Sequence, residues 1–296
     1  MNLSKILGRC KTNFDTENFQ ERLILGLALN SKEAMKNYIF AAIQGSKING
    51  EKFIPEIIDL QPLVIIIHYN SKIKIDFKKY NLITIIKTKD VRRLFSEISS
   101  IFYPNKIKEK IAVTGTNGKT SVVDYTKQLW NLKKVNNGSL GTLGVFNKEK
   151  KISDLELTTP DTVQLNQILN KLSNSHCKKM ILEASSIGLD QHRLYPLKFD
   201  KIALTNITND HLDYHGSLNK YKFSKSLLFS DYTKKTTIAV INTDTEYYKF
   251  FHTLCLKNKL KILDFGKKAF FLKINSIKRI QDFFEVKISL KKKKSI

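Results

Sequence analysis

The sequence predicts an α/β protein in two parts. A small α/β domain is expected over residues 1–103. A P-loop domain over 111–296 is expected to carry a mostly parallel sheet covered by helices. Three observations predict this. Four short apolar runs in the second part each end in small or polar residues: "IAVT" before Gly115, "KMIL" before Glu183, "KIALT" before Asn206, and "TTIAVI" before Asn242 and Asp244. Helical stretches lie between such runs, and repeated strand-then-helix units build parallel sheets. The stretch "IAVTGTNGKTSVVDYTKQLW" has strand, glycine turn and helix in the order of a phosphate loop. The first hundred residues mix "YIFAAI" (38–43), "PLVIIIHY" (62–69) and "NLITIIKT" (81–88) with the helix-like "DVRRLFSEISSIFY" (90–103). The polar "YPNKIKEK" (103–110) reads as a linker.

Composition narrows the classes. The chain has 296 residues, 42% of them hydrophobic, enough for two cores. The formal net charge is +24, which raises nucleic acid as a partner. Only six of the 51 basic residues are arginine, however, and the lysines are spread along the whole chain. A reader of phosphates and grooves favours the arginine fork. Compositional drift in an A/T-rich genome explains the charge better, and no nucleic-acid partner is expected. Cys10, Cys177 and Cys255 fit no metal or redox spacing, as in a reduced cytoplasm. The N-terminus lacks a signal-peptide core, and the apolar run "LVIII" (63–67) is too short to span a bilayer. The expectation is a soluble cytoplasmic protein with no membrane partner. The last stretch reads as short strands with charged turns, ending in "KKKKSI" without a closing helix.

In the phosphate loop, Gly115 and Gly118 permit a tight turn that exposes N–H groups to anions. Lys119 can reach the outer phosphates, and the Thr120 hydroxyl suits a magnesium ion. A helix expected from Ser121 to Trp130 would aim its positive end at the same place. Val113 stands where the common longer loop has its first glycine, so G-T-N-G-K-T is a shortened version.

Three further positions stand out. Glu183 ends an apolar strand, where a carboxylate suits a hard cation or caps a helix. His211 and His215 have the four-residue spacing of a zinc helix. The segment starts at a strand end and contains Gly216, so zinc is disfavoured and His215 and Asp213 are expected to be structural hydrogen-bonding residues. Leu218, Tyr221, Lys225 and Leu228 form one helical face, which makes Lys225 either snorkelling or functional.

The form "VTGTNGKTS" resembles the ATP loop of the Mur ligase family. "LTTPDTVQL" (157–165), "LEASSIGLDQHRL" (182–194), "TNITNDHLDYHGSLNKYKFSKSLLF" (205–229) and "INTD" (241–244) are similar, in order, to its MurE-type branch, the UDP-N-acetylmuramoyl tripeptide synthetases. Residues 29–54 are similar to that branch's uridine-binding first domain. The resemblance implies an ATP-dependent ligase of cytoplasmic peptidoglycan precursor synthesis. ATP phosphorylates the D-glutamyl carboxylate of UDP-MurNAc-L-Ala-D-Glu, and a diamino acid, meso-diaminopimelate or L-lysine, attacks the acyl phosphate. It implies ATP binding by Gly115, Thr116, Asn117, Gly118, Lys119, Thr120 and Ser121. Catalytic roles fall on Lys119, Glu183, His211 and Lys225. The magnesium ligands implied are Thr120, Glu183, His211 and Lys225 as a carbamate. Contacts to the UDP-substrate fall on Ser31, Thr158, Thr159, Ser185, Gln191 and Arg193. The bland alternative for the threonines is a turn before a helix at 161–171, with Asp161 in its first turn.

The sequence departs from the branch pattern at Ile187, usually histidine, at Lys32, usually arginine, and at Asn49 and Glu51, usually Asp and His. The resemblance also implies a third domain with a diamino-acid motif of the DNPR type, and these residues contain none. Residues 111–296 are therefore expected to be an incomplete central domain. Its partner is expected to be a separately encoded or frame-shifted C-terminal domain, and slippage on an adenine run encoding the terminal lysines is one origin. Three readings stay open: a ligase that needs the missing part, a binding module or remnant without turnover, and a basic nucleic-acid binder.

Overall fold

A computed structural model describes residues 1–45, 48–61 and 63–291, which form two compact units. Pro62 of the "PLVIIIHY" run lies outside the described residues, as does the lysine run after Lys291 on which slippage is expected.

The first unit comprises Met1–Asn105 together with Asp161–Lys171 and Gln191–Pro196. Its elements are α1 (Leu3–Leu7), β1 (Phe14–Glu17), β2 (Gly26–Ala28), β3 (Tyr38–Ala41), α2 (Ile54–Ile57), β4 (Leu63–His68), β5 (Ile83–Thr88) and α3 (Val91–Phe102). The strands form a five-stranded sheet in the order β1-β5-β4-β3-β2, parallel except for β1. The "LVIII" run is its middle strand. Val64 and Ile66 pack on one face with Leu94, Phe95 and Ile98 of α3. Leu63, Ile65 and Ile67 pack on the other with Ile54 and Ile57 of α2. A strand covered on both faces needs an unbroken apolar run, which is why alternation is missing there.

The second unit holds β6 (Glu109–Thr114), α4 (Lys119–Leu132), β7 (Asn137–Gly141), β8 (Gly144–Asn147), β9 (Lys150–Ser153), α5 (Thr162–Asn174), β10 (Lys179–Glu183), α6 (Ser186–Asp190), β11 (Phe199–Leu204), α7 (Leu212–His215), α8 (Leu218–Ser230), β12 (Thr233–Asn242), α9 (Tyr248–Lys257), β13 (Lys261–Gly266), β14 (Leu272–Ile280) and β15 (Phe283–Leu290). Residues of α5 up to Lys171 group with the first unit. The ten strands run β15-β14-β13-β12-β11-β6-β10-β7-β8-β9. Neighbours from β14 through β7 are parallel, and the flanking pairs β14–β15, β7–β8 and β8–β9 are antiparallel. The mostly parallel sheet expected from the sequence is present.

Register decides where the chemistry gathers. Glu183 of β10 and Ala203 of β11 both pair with Val113 of β6. The carboxyl ends of three neighbouring strands are therefore level, and ligands collect at that edge of parallel sheets. At the opposite end, Glu109 forms ion pairs with Lys179, at 2.7 Å, and with Lys201. No described helix is long and apolar enough to cross a membrane.

Candidate active site

The glycine loop leaves β6 at Thr114 and enters α4 at Lys119, two residues earlier than the helix expected from the sequence. Gly118 caps that helix at φ +84° and Gly115 has φ +148°, both in the region that favours glycine. A Cβ on Gly115 would overlap the Thr205 hydroxyl. The loop is clasped by the end of β11. Thr116 N–H donates to the Asn206 carbonyl at 2.9 Å, and Asn117 N–H donates to Asn206 Oδ1 at 3.0 Å. The Thr205 hydroxyl donates to the Asn117 carbonyl at 2.6 Å. The Thr116 hydroxyl accepts from Thr208 N–H at 2.9 Å and lies 3.0 Å from the Tyr221 hydroxyl. The opening turn of α4, with Thr120 and exposed Ser121, presents N–H groups without intrahelical acceptors.

Lys119 folds back onto its own loop, donating to the carbonyls of Gly115 at 2.9 Å and Thr116 at 2.8 Å. Burial pushes its pKa down, with Glu183 and Asp210 opposing. On the other side of the loop, Thr120 donates to Glu183 Oε2 at 3.0 Å. Glu183 is 1% exposed and also accepts from Thr142 N–H at 2.8 Å. It makes no ion pair among the described residues. Gly141 leaves room for it, since a Cβ there would overlap the carboxylate.

Thr159 fixes the strand end that carries Glu183. Its hydroxyl donates to the Glu183 carbonyl at 2.9 Å and accepts from Ser185 N–H at 3.0 Å. Thr158 meets Thr142, hydroxyl to hydroxyl, at 3.3 Å. Ser185 Oγ accepts from Gly188 N–H at 3.1 Å, at the start of α6.

The two histidines diverge. His211 is exposed, adopts φ +49° as the residue before α7, and lies 3.5 Å from Asp210 Oδ2. His215 ends α7 and is 5% exposed. Its Nε2 lies 3.0 Å from Ser186 Oγ and its Nδ1 3.4 Å from Ser224 Oγ, which in turn donates to Asp190. Burial holds its pKa down. His215 is thus the structural hydrogen-bonding residue expected. Asp213, grouped with it in that expectation, is exposed and makes no side-chain hydrogen bond among the described residues.

Lys225 lies on α8 in the stripe read from the sequence and is 1% exposed. Its Nζ donates to the Gly115 carbonyl at 2.9 Å and sits 4.3 Å from the Tyr221 ring centroid. Burial, reinforced by Lys119, drives its pKa well below the usual lysine range, with Asp210 opposing.

Three UDP-substrate candidates belong to the first unit. Ser31 begins a 3-10 turn, Ser31–Glu33. Gln191 Oε1 accepts from both Nε and Nη2 of Arg193, at 3.1 and 2.8 Å. Asp161 Oδ1 accepts from Val163 and Gln164 N–H and caps α5 from the residue before it, rather than lying in the first turn as the turn reading has it.

The Mur ligase middle-domain model matches residues 113–296, well over half of the chain. The chain belongs to the Mur ligase family. It is 36% identical over 254 residues to the UDP-N-acetylmuramoyl-L-alanyl-D-glutamate–2,6-diaminopimelate ligase of Rickettsia montanensis, covering 85% of this chain and 52% of that protein. The enzyme of the same name from Zymomonas mobilis is 35% identical over 246 residues, covering 83% and 49%. A solved structure of a ligase with that name superposes with a TM-score of 0.73 at 24% identity, over 90% of this chain and 53% of the other. The chain spans about half the length of the curated relatives it matches.

Within this Mur ligase fold, the loop residues, Lys119, Thr120, Glu183 and Lys225 meet at one end of the parallel sheet. His211 lies beside Asp210, with its ring centroid 6.4 Å from that of Tyr221. No group of three or more His, Cys, Asp or Glu side chains able to hold a metal occurs among the described residues. The expected ligand set instead draws on a threonine and a modified lysine. Thr120 and Glu183 do fit a magnesium ion: both offer hard oxygen atoms, and a buried carboxylate without an ion pair calls for a cation. Sequence reasoning missed Thr142, Thr205 and Asp210. Asp210 adjoins His211, and its charge acts on both Lys119 and Lys225.

Proposed function

We propose that this chain carries the ATP and UDP-substrate sites of a cytoplasmic ligase of peptidoglycan precursor synthesis. The reaction joins a diamino acid to UDP-MurNAc-L-Ala-D-Glu at the expense of ATP. The diamino acid is 2,6-diaminopimelate, the one named in the relatives at 35–36% identity. The observation that carries this reading is the phosphate loop with Lys119 and Lys225 on one carbonyl and the Thr120–Glu183 pair opposite.

The chemistry follows from charge control. A carboxylate oxygen of the D-glutamyl group attacks the γ-phosphorus of ATP, and ADP leaves. The amine then attacks the acyl carbon, phosphate leaves, and the amine proton passes to solvent. Loop N–H groups and the α4 N-terminus receive the phosphates. Lys119 exchanges its two backbone carbonyls for phosphate oxygens and stabilises charge as it develops. A magnesium ion, when bound by Thr120, Glu183, His211 and modified Lys225, supplies further neutralisation of the phosphate oxygens. Lys225, favoured as the neutral amine by burial, adds to carbon dioxide and loses a proton, becoming an anionic carbamate. Thr158, Thr159, Ser185, Gln191, Arg193 and Ser31 contact the UDP-substrate.

The half of the relatives' length not spanned here supplies the site for the attacking amine, within the same polypeptide or from a second one. Orientation of that amine is worth roughly 7–11 kcal/mol, so these residues alone should ligate poorly. The second reading is a binding module without turnover. Phosphate release from ATP with UDP-MurNAc-L-Ala-D-Glu and diaminopimelate separates the two. The ligase reading expects release that depends on both substrates once the remaining half of a relative is added, and its loss in Lys119→Ala. No release under any of these conditions, with both ligands still bound, leaves the binding module.

A further inference from the structure

Parallel sheets are covered on both faces, because both faces carry apolar side chains. Over β11–β13 the two faces of the ten-stranded sheet differ. Ile202 and Leu204 of β11 and Ala239 and Ile241 of β12 are fully buried. The residues that alternate with them, Ala203, Ile238 and Val240, are only partly buried, as is Leu263 of β13. Register sets Ala203 beside Val240 and Val240 beside Leu263, so these share one face. That face is apolar and half open to solvent.

The same face is covered next to β11 by α4. Val123 and Trp130 pack there with Val113, Ile111 and Ala203. Yet α4 is apolar on a second side as well. Val122, Tyr125, Leu129 and Leu132 follow spacings of three, four and three, which is one stripe, and all four are exposed, Tyr125 at 65% and Leu132 at 81%. A surface helix carries polar residues on its outward side. The direction of the stripe follows from Lys127, whose ammonium lies 3.8 Å from the centroid of the Phe146 ring on β8. Val122 and Leu129 are roughly 140–160° around the helix from Lys127. Since β8 and β11 lie on opposite sides of β6, these two side chains turn toward β11.

The result is a recess with two apolar walls. Ala203, Val240 and Leu263 form its floor, Val122 and Leu129 its side, and Trp130 the corner. Three strands at ~4.8 Å spacing span about 10 Å, the width of one helix. Helices packed side by side stand about 8–10 Å apart, so one helix fits beside α4.

We infer that this recess seats an amphipathic helix from the polypeptide that the relatives carry beyond the matched middle domain. The inference rests on the proposed reading of the chain as one part of a longer ligase. The chain covers 52% of the Rickettsia montanensis protein, and the matching model is a middle domain, so that relative holds as much polypeptide again. The sheet order places β15 and β14 on the β13 side, so polypeptide that follows β15 sets out from the edge of the recess. Because α4 begins at Lys119, a helix seated on its side also bears on the phosphate loop.

The test is maleimide labelling of Leu129→Cys and Val240→Cys. Each is made in this chain and in one polypeptide that continues the chain with the remaining half of the Rickettsia montanensis protein. The native thiols, raised by burial, form a slow background. Both new thiols should label roughly tenfold or more slowly in the continued polypeptide, while exposed Lys5→Cys in the first unit labels equally in both. Unchanged rates at both positions overturn the inference. Protection already present in this chain, with a dimer in sedimentation that Leu129→Asp dissociates, makes the occupant a second copy and also overturns it. If the continued polypeptide does not fold, co-purification of the separately expressed half decides: retention by wild type and release by Leu129→Asp support the inference, and no retention overturns it. Labelling is independent of turnover. A recess that closes in a polypeptide without ligase activity keeps this inference and removes the ligase reading, and one that stays open in an active ligase does the reverse.

Discussion

Lys119 and Lys225 donate to the same acceptor, the carbonyl oxygen of Gly115, each at 2.9 Å. They lie on different helices, and Lys225 is 110 residues from that glycine. Two ammonium groups on one buried oxygen repel, and each loses hydration. Lys225 gives way furthest, because it is the more deeply buried of the two.

Lys225 should therefore take up carbon dioxide at a lower pH than an exposed lysine. With ¹³C-bicarbonate, a carbamate resonance is expected near neutral pH and should vanish in Lys225→Ala. Its intensity should rise with pH as the amine loses its proton. A map or spectrum showing only a bare amine under bicarbonate would count against the assignment.

The same shift sets a sign for stability. Below the lowered pKa both native and unfolded Lys225 carry the proton, and the full burial penalty applies. Between that pKa and 10.5, the unfolded chain binds more protons, so stability rises with pH. In carbonate-free buffer, the melting temperature of wild type relative to Lys225→Met should climb across this window. A flat difference would show that Lys225 is not buried as a titrating amine.

The histidines should separate by role. His215→Leu leaves the Ser186 and Ser224 hydroxyls without their ring partner, at a cost of about 1–3 kcal/mol in urea unfolding. His211→Ala, at an exposed site, should change stability by less than about 0.5 kcal/mol while weakening magnesium-dependent ATP binding. Zinc chelators should affect neither. The opposite ranking of the two variants would restore the zinc-helix reading.

Gly141→Ala tests the Glu183 pocket from behind. The added methyl meets the carboxylate, so Glu183 must leave Thr120 and Thr142. Magnesium-dependent nucleotide affinity should fall about tenfold or more, the effect of losing one charge-assisted bond or more. Retained affinity would place the cation elsewhere.

All three thiols should be slow to alkylate. Burial raises Cys10 and Cys255 to about 12 and Cys177 to about 11, from 9.0. Since the thiolate is the nucleophile, native Cys10 and Cys255 should react roughly a thousandfold slower than unfolded ones at pH 8. Fast labelling of the native chain would contradict this packing.

The local signals in the sequence carried the phosphate loop. Gly115, Gly118, Lys119 and Thr120 act through backbone conformations and spacings confined to a few residues. Glu183 and Lys225 were visible as polar residues in apolar patterns. Thr142 and Thr205 were not visible, because their roles arise from register between strands distant in sequence. The strand ending at Gly141, "NGSLG", lacks any β-branched run yet is wholly buried, so periodicity passed over it. The addition of Asp161–Lys171 and Gln191–Pro196 to the first unit likewise depends on packing, such as Val163 against the α3 cluster, that no linear boundary expresses. The paired histidines misled in the other direction. A helical turn does form, but His211 precedes it at positive φ and only His215 is buried.

A magnesium-dependent ATP site assembled on the Gly115–Thr120 loop is what the proposed chemistry requires first. Calorimetric titration of the chain with a non-hydrolysable ATP analogue, with and without magnesium, tests it most directly. Saturable one-to-one binding that needs magnesium is expected, weakened at least tenfold in Lys119→Ala, Thr120→Ala and Glu183→Gln. Absence of binding by the folded wild-type chain, or equal affinity in all three variants, would contradict it.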